Sequence, residues 1–276
     1  MKKFNLVSIG SALALTLGFA LPASAQLAYS FATGGNCDFP PATCTVTGSA
    51  TVASSLAISG WSAASGATFV AAAITDQTTS GIGMTTTGES TASPDHAIDN
   101  NGSLELVLLN FGTNKVVVTG VATGWSNNDT DVAVLRWTGA TGPDLTTTKV
   151  TDSVSGLVAK GWSIVSSADL DSSSATGATY GSLSGTTGLA VSAANSSSWW
   201  IVSSYFGGGS LALDGFADYF KLLSVSATCV SSTSGGACNS GPGGGSGVPE
   251  PGSLALAGVA LAGAYGIRRR KVTVQQ

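Results

Sequence analysis

The sequence is poor in charge and contains a single histidine, His96. Charged residues make up 9% of its 276 positions. The central region lacks any long apolar repeat of 3.6 residues, and this absence argues against a helical bundle. The chain also lacks the G-x-S-x-G nucleophile elbow, the H-E-x-x-H zinc motif and the P-loop. It therefore carries no signature of the common hydrolases, zinc proteases or nucleotide-binding proteins.

Basic residues are scarce in the central region once the two chain ends are set aside. Lys2, Lys3 and the run 268–271 hold six of the eleven basic residues, and Glu250 is one of fifteen acidic ones. The remainder is five basic and fourteen acidic residues, a net charge of about −9. Such an acidic body disfavours nucleic acid and anionic lipid as partners.

The N-terminus has the layout of a secretory signal peptide. Met1-Lys2-Lys3 is followed by an apolar stretch that reaches Leu21 and by the small-x-small sequence Ala23-Ser24-Ala25. This order predicts a signal peptide over residues 1–25, with signal peptidase cutting before Gln26. The alternative is a retained N-terminal anchor.

The C-terminus has four parts in a fixed order. A Gly/Ser-rich linker over 233–247 precedes Val248, Pro249, Glu250 and Pro251, in which the two prolines favour an extended peptide. An uncharged run over 254–267 follows, about 21 Å long as a helix against a hydrocarbon core of about 30 Å. The run ends in a basic stop expected on the cytoplasmic side: Arg268, Arg269, Arg270 and Lys271. We predict a short transmembrane helix, the alternative being a buried helix with a basic C-cap.

This tail, residues 248–276, resembles the PEP-CTERM sorting signal. The resemblance implies an exosortase that cleaves near Pro249-Glu250-Pro251 and removes the helix. It also implies a route: export in a Gram-negative bacterium, transient anchorage in the inner membrane, then release to the cell surface or the extracellular matrix of a biofilm.

The four cysteines form two close pairs in the sequence, Cys37 with Cys44 and Cys229 with Cys238. In an exported chain they are expected to form disulfides. Four cysteines allow three connectivities, of which local pairing is the simplest and cross-pairing stays open. A zinc site is a poor alternative because the spacings are not C-x-x-C.

Residues 26–232 are predicted to form one extracellular all-β domain, a β-sandwich with the jelly roll as one possible form. Short segments rich in β-branched residues alternate with turn signals, which is typical of such folds. One helix is expected around Val150–Lys160, with Asp152 as its cap, and 166–198 is predicted as a long surface loop or an irregular strand pair. The expected strands are Thr45–Ala53, Ala67–Ile74, Ser103–Asn110, Lys115–Thr123, Asp131–Trp137, Gly161–Val165, Trp199–Tyr205 and Tyr219–Thr228.

Three polar segments stand out as candidate sites: 93–102, 127–131 and 214–222. With the Trp-containing segments 161–162 and 199–202, they resemble the core pattern of exosortase-dependent surface proteins. That resemblance implies a shared extracellular domain and brings no known activity. Carboxylate and amide oxygens in loops suit Ca²⁺, so we predict a low-affinity calcium site. Its ligands would be Asp95, Asp99, Asp129 and Asp131, with Asn100 and Asn128 as secondary ligands. The alternative is Asx-turn chemistry at strand entries.

The function predicted from these features is that of a non-enzymatic surface or matrix protein, with no catalytic residue assigned. The first alternative is an exopolysaccharide-binding module that stacks sugars on tryptophan, for which the pair Trp199-Trp200 is suggestive. The second alternative is a secreted hydrolase that uses His96 or a pair of carboxylates.

Overall fold

The computed structural model describes ten stretches of the chain: 26–31, 43–47, 55–89, 94–127, 130–150, 155–169, 179–180, 183–205, 217–230 and 238. The predicted signal peptide, the linker and the sorting tail lie outside these residues. Fourteen strands and one short α-helix make up the described part, so the prediction of an all-β body is confirmed. The strands are β1 Gln26–Ser30, β2 Thr43–Thr47, β3 Ser55–Ala64, β4 Val70–Asp76, β5 Ile82–Thr85, β6 Ile98–Asp99, β7 Ser103–Asn110, β8 Val116–Asn127, β9 Asp131–Trp137, β10 Trp162–Asp169, β11 Thr179–Tyr180, β12 Leu183–Thr186, β13 Trp199–Ser204 and β14 Tyr219–Cys229.

All the strands belong to one curled antiparallel sheet with the order β10-β9-β13-β7-β3-β4-β5-β14-β8-β11. Strand β4 joins its two halves, because Val70–Ala72 pair with β3 and Ala73–Asp76 pair with β5. β2 extends the first half beside β3. β1 and β6 pair with β14, and β12 pairs with β8, in the second half.

The inner hydrophobic cluster draws side chains from both halves of the sheet. Tyr29, Trp200 and Phe220 are at 0% exposure, and Tyr29 meets Phe111 edge-on with ring centroids 5.6 Å apart. Each such side chain contributes about 1.5–3 kcal/mol when it leaves water. The enclosure of this cluster is what curls the sheet.

A second cluster covers the outer face of the first half. Leu106, Leu135 and Ile201 point to this side, where Leu145 and Leu157 pack on them from a 3₁₀ turn (Leu145–Thr147) and the helix α1 (Ser155–Ala159). Strands β7, β9 and β13 are therefore buried on both faces, which explains their nearly continuous apolar sequences.

The strand predictions at 103–110 and 131–137 are confirmed to the residue, and α1 lies inside the predicted helical region. Ser55–Ala64 was missed because alanine, serine and Gly60 have low strand preference and only packing decides their state. The segment 166–198 does contain short strands, β11 and β12, against β8. Asp152, which was predicted to cap the helix, lies outside the described residues. So do residues 48–53 of the first predicted strand.

Two glycines in β8 test how closely the chain packs. A methyl group at Gly124 would overlap the backbone carbonyl of Ser80, whereas at Gly120 the nearest atom, the carbonyl oxygen of Gly185, would lie 3.3 Å away. We predict that Gly124→Ala lowers the free energy of unfolding by about 1–3 kcal/mol, the usual cost of overpacking. Gly120→Ala, the matched control in the same strand, should cost less than about 1 kcal/mol. Equal losses in chemical denaturation would contradict the close approach of Ser80 to β8.

Candidate functional site

The three polar segments singled out in the sequence meet at one end of the body. This carboxylate end comprises residues 94–105, 130–131 and 217–221, where β7, β9 and β14 begin. β7 and β9 both pair antiparallel with β13 and therefore start at the same edge, and the start of β14 pairs with β6 and with the end of β8. Residues up to 118 positions apart in the chain are thereby brought together.

Asn100 and Asp218 form the central contact of this end. The Asn100 amide donates to a carboxylate oxygen of Asp218 at 2.6 Å and to the backbone carbonyl of Tyr205. The backbone N–H of Asp218 donates in return to the Asn100 side-chain oxygen at 2.9 Å. The other Asp218 oxygen accepts from the backbone N–H of Asp131 at 2.7 Å, and Tyr205 donates its N–H to the Asp131 carbonyl. Four chain segments are thereby tied together.

Asp99 and Glu105 form a buried pair of carboxyl groups beside this contact. Their exposed fractions are 2% and 0%, and the Asp99 N–H donates to Glu105 Oε2 at 3.3 Å. Glu105 Oε1 is buried with no hydrogen-bond partner. Burial raises the pKa of Asp99 to about 7, with smaller increases from Glu89 and Asp95, against the opposing hydrogen bond from Asn101 N–H. Burial also raises the pKa of Glu105 well above its usual value, and the charge of Asp99 adds to that increase.

Lys221 supplies a buried amine at the same end. It is 5% exposed, its Nζ lies 2.9 Å from His96 Nε2, and it sits 4.8 Å from the ring centroid of Trp125. Burial lowers the pKa of Lys221, because no water offsets the loss of solvation of its charge. Gly83 permits this packing, since a side chain there would overlap the His96 carbonyl. His96 is therefore placed as a half-buried hydrogen-bonding residue beside a lysine.

The predicted calcium ligands are only partly brought together. Asp95 and Asp99 lie on the same short segment, whereas Asp131 contacts Asp218 through its backbone N–H. Asp129 and Asn128 lie outside the described residues. Within the described part, no group of three acidic, His or Cys side chains is arranged to hold a metal ion. Asp99 accepts from the Asn101 N–H at 2.9 Å, which is the Asx-turn geometry of the alternative interpretation. The calcium site stays a prediction.

Sequence reasoning missed Glu105. A lone carboxylate inside the apolar strand Ser103–Asn110 was the available signal, since a buried charge in a core strand is unusual.

The tryptophan pair behaves as alternation along a strand requires. Trp200 is fully buried in the inner cluster, and Trp199 is partly exposed against the outer one. On the outer face Trp137 pairs with Trp162 across β9 and β10, with ring centroids 5.2 Å apart. Trp200 lies opposite Arg136, so the antiparallel register places Trp199 beside Trp137. Three tryptophans therefore form a row across β13, β9 and β10.

At the opposite end of the body a disulfide closes the last strand. Cys229 and Cys238 are bonded, with their Cα atoms 5.7 Å apart, and the Cys238 N–H donates to Asn114 Oδ1 at 3.2 Å. Cross-pairing that involves these two cysteines is thereby excluded. Cys37 and the side chain of Cys44 lie outside the described residues.

These features define an all-β, disulfide-bearing body whose polar chemistry is concentrated at one end. The chain carries a PEP-CTERM sorting motif: the family model for the PEP-CTERM protein-sorting motif matches residues 247–271. That match spans Pro249-Glu250-Pro251, the apolar run and the basic stop, so the predicted sorting signal is confirmed. It covers the tail alone and leaves the body unclassified.

No curated protein and no solved structure showed a match to the chain. Among the described residues, no helix has the length and apolarity needed to cross a membrane. The predicted transmembrane run over 254–267 lies outside them.

The Asn100–Asp218 contact makes a charge-sensitive test. We predict that Asn100→Asp destabilises the protein by about 2–4 kcal/mol at pH 7, because it sets a second carboxylate against Asp218 in a buried position. Lowering the pH to about 4 should recover most of the loss, since one of the two carboxyl groups then binds a proton. Asn110→Asp is the control and should cost little, because the carboxylate can keep the bond that Asn110 Oδ1 accepts from the exposed Gly112 N–H. Thermal unfolding from pH 4 to 8 distinguishes the two, and a loss independent of pH would reject the charge explanation.

The buried carboxyl pair predicts a decline of stability with rising pH. Asp99 and Glu105 keep their protons to higher pH in the folded protein than in the unfolded chain, so unfolding releases protons. The free energy of unfolding therefore begins to fall at about pH 4 and continues to fall through about pH 7. Glu105→Gln should flatten this slope, measured as unfolding free energy against pH. Asp144→Asn, an exposed capping position where asparagine also caps, should leave the slope unflattened. An unchanged slope in Glu105→Gln would show that Glu105 is not protonated in the folded state.

Proposed function

We propose that this chain is the precursor of a non-enzymatic surface or extracellular-matrix protein. The observation that carries the proposal is the sorting motif at 247–271, which marks the chain for export, passage through the membrane and exosortase processing. In the proposed route signal peptidase removes 1–25, the tail holds the chain in the inner membrane of a Gram-negative cell, and exosortase then releases 26 to about 251.

The body supports a structural role in that location. A disulfide closes its last strand, and disulfides persist in the oxidising compartments outside the cytoplasm. Its one curled sheet, which we interpret as a sandwich-like module, buries two hydrophobic clusters and suits display in the matrix of a biofilm.

The carboxylate pair gives limited support to the hydrolase alternative. A glycosidase needs two carboxyl groups that reach a substrate in a cleft. Asp99 and Glu105 are 2% and 0% exposed, so their atoms are closed to a sugar. The open groove of about 500 Å³, which reaches the edge of the carboxylate end at Ser103, is lined by small and hydroxyl-bearing residues such as Ser62 and Thr85 and by no charged side chain of the described part.

The row of Trp199, Trp137 and Trp162 favours carbohydrate binding as the second candidate function. Two of these rings are partly exposed, and flat aromatic faces stack on sugars. Exopolysaccharide is the ligand class that this alternative requires in the extracellular matrix.

The mature C-terminus tests the leading proposal. Mass spectrometry of the protein from exosortase-containing cells should show a chain that ends near Pro251, because the stiff Pro-Glu-Pro peptide presents the cleavage site. A chain in which Pro249, Glu250 and Pro251 are all replaced by alanine should keep Gln276 and stay in the membrane fraction. Ser246→Ala, in the adjacent linker, is the control and should be processed normally. An intact Gln276 in the wild type would refute processing.

A further inference from the structure

The sorting tail leaves the body at a defined place, here called the tail end: residues 110–116, 136–138, 160–162, 197–199, 228–230 and 238. Cys238 is fixed there by its disulfide and by its hydrogen bond to Asn114. The sequence between Cys238 and Pro249 is the ten positions 239–248, which can span at most about 35 Å. Whenever the tail is in a membrane, this linker tethers the tail end of the body to that membrane. Gln26, which follows the predicted signal peptide, pairs with Thr228 at the same end.

The row of Trp199, Trp137 and Trp162 lies at this tail end. Trp137 is the last residue of β9, Trp162 the first of β10 and Trp199 the first of β13. Trp162 is 2% exposed, whereas Trp137 and Trp199 are partly exposed. The loop 138–142 packs beside both rings: a methyl group at Gly142 would lie 3.4 Å from the Trp199 ring, in ordinary contact, and the Trp137 Nε1–H donates to the Thr141 carbonyl. Tryptophan, with its apolar ring and polar N–H, is favoured at the boundary between lipid and water.

The few cations of the body are also concentrated at the tail end. Lys115 and Lys160 are exposed there, and Arg136 is half-buried beside them, with its guanidinium donating to the Ala194 carbonyl. The body has five basic residues in all. Of the carboxylates in the described part, Asp144 alone accompanies them. The acidic groups at 89–105, 131 and 218 belong to the carboxylate end, Asp169 pairs with Asp131, and Asp76 pairs with Ile82, which lies opposite Leu222 near the start of β14. Among the described residues, charge is thus separated along β8, whose length is about 35 Å.

We propose that the tail end is a membrane-contact surface: while the tail is in place, Trp137, Trp199, Lys115 and Lys160 rest on the headgroups of anionic phospholipid. The net charge of about −9 disfavours uniform attraction to such a surface, but its separation along the body turns the basic end toward the lipid and the carboxylate end away. This contact orients the body and keeps the cleavage peptide close to the membrane, where a membrane-embedded protease acts. The proposal rests on the proposed function, because it concerns the precursor that still carries its tail.

Lipid fits these observations better than polysaccharide. The rings lie beside the exit point of a tail that is itself destined for the membrane, and the neighbouring lysines complement phosphate groups. Binding of a neutral polysaccharide would require neither a position near the exit of the tail nor neighbouring lysines. Carbohydrate binding by the same face is an outcome that the experiment below distinguishes.

The tryptophans make the contact measurable in the full chain. All six lie between Trp61 and Trp200, and neither the first 25 residues nor the tail contains one. Quenching of tryptophan fluorescence by a spin label on the lipid headgroup therefore reports on the body, even though the tail anchors the chain. The tail-bearing protein, purified from cells without exosortase, is reconstituted into phosphatidylcholine vesicles with and without phosphatidylglycerol. We expect a loss of about a quarter of the emission in vesicles with phosphatidylglycerol, because two of six rings face the lipid.

Charge reversals locate the contact. Lys115→Glu and Lys160→Glu should each reduce this quenching about twofold or more, whereas Lys149→Glu, an equal change at an exposed lysine that pairs with Thr68 away from the tail end, should leave it unchanged. Trp199→Phe should lower it, and Trp61→Phe should not. Circular dichroism confirms that each variant is folded.

Several results would overturn the proposal. Quenching that is absent, or equal in Lys115→Glu and Lys149→Glu, would show that the body stands away from the lipid. A fluorescence shift on adding soluble exopolysaccharide, with no quenching on vesicles, would assign the face to carbohydrate instead. Failure of the proposed function would appear separately as an intact Gln276 in mass spectrometry, which does not depend on lipid contact.

Discussion

The reciprocal contact between Asn100 and Asp218 holds the carboxylate end together. One amide and one carboxylate satisfy each other and, through the backbone of Asp131 and Tyr205, close the starts of β7, β9 and β14 and the end of β13. Charge-assisted hydrogen bonds of this kind are strong in a site with little water. Because the partners are 118 positions apart, the contact can form only when the sheet has its correct register.

That closure has an electrostatic consequence. It places Asp99 and Glu105 in the interior, where the loss of hydration favours their protonated forms. Lys221, close by, meets His96 and the Trp125 ring. The carboxylate end thus has a buried polar interior, in which Asp99, Glu105, Asp218 and Lys221 are 5% exposed or less.

The opposite end has the complementary character. The Cys229–Cys238 disulfide anchors the start of the linker, and two partly exposed tryptophans and two exposed lysines surround that point. An acidic body with a small basic and aromatic end has an uneven charge distribution, which can orient the body at a charged surface. A uniform negative charge would not orient it. In the proposed membrane contact, the PEP-CTERM tail keeps this basic and aromatic end of the body toward the membrane.

The sequence by itself determined that the protein is all-β and that it carries a sorting motif. Sorting motifs are contiguous patterns, so Val248 to Pro251, the apolar run and Arg268 to Lys271 could be read directly and matched the family model at 247–271. Strands such as Ser103–Asn110 and Asp131–Trp137 could also be predicted from the sequence, because their apolar residues are nearly continuous. Ser55–Ala64 was not, since serine, alanine and glycine become a strand only through their neighbours. Only the tertiary structure decided that Asn100 would meet Asp218, that Glu105 would be buried beside Asp99, and that Trp199 would lie beside Trp137 near the exit of the tail. The physical reason is that sheet register joins distant residues, and neither local preference nor spacing specifies which strands become neighbours.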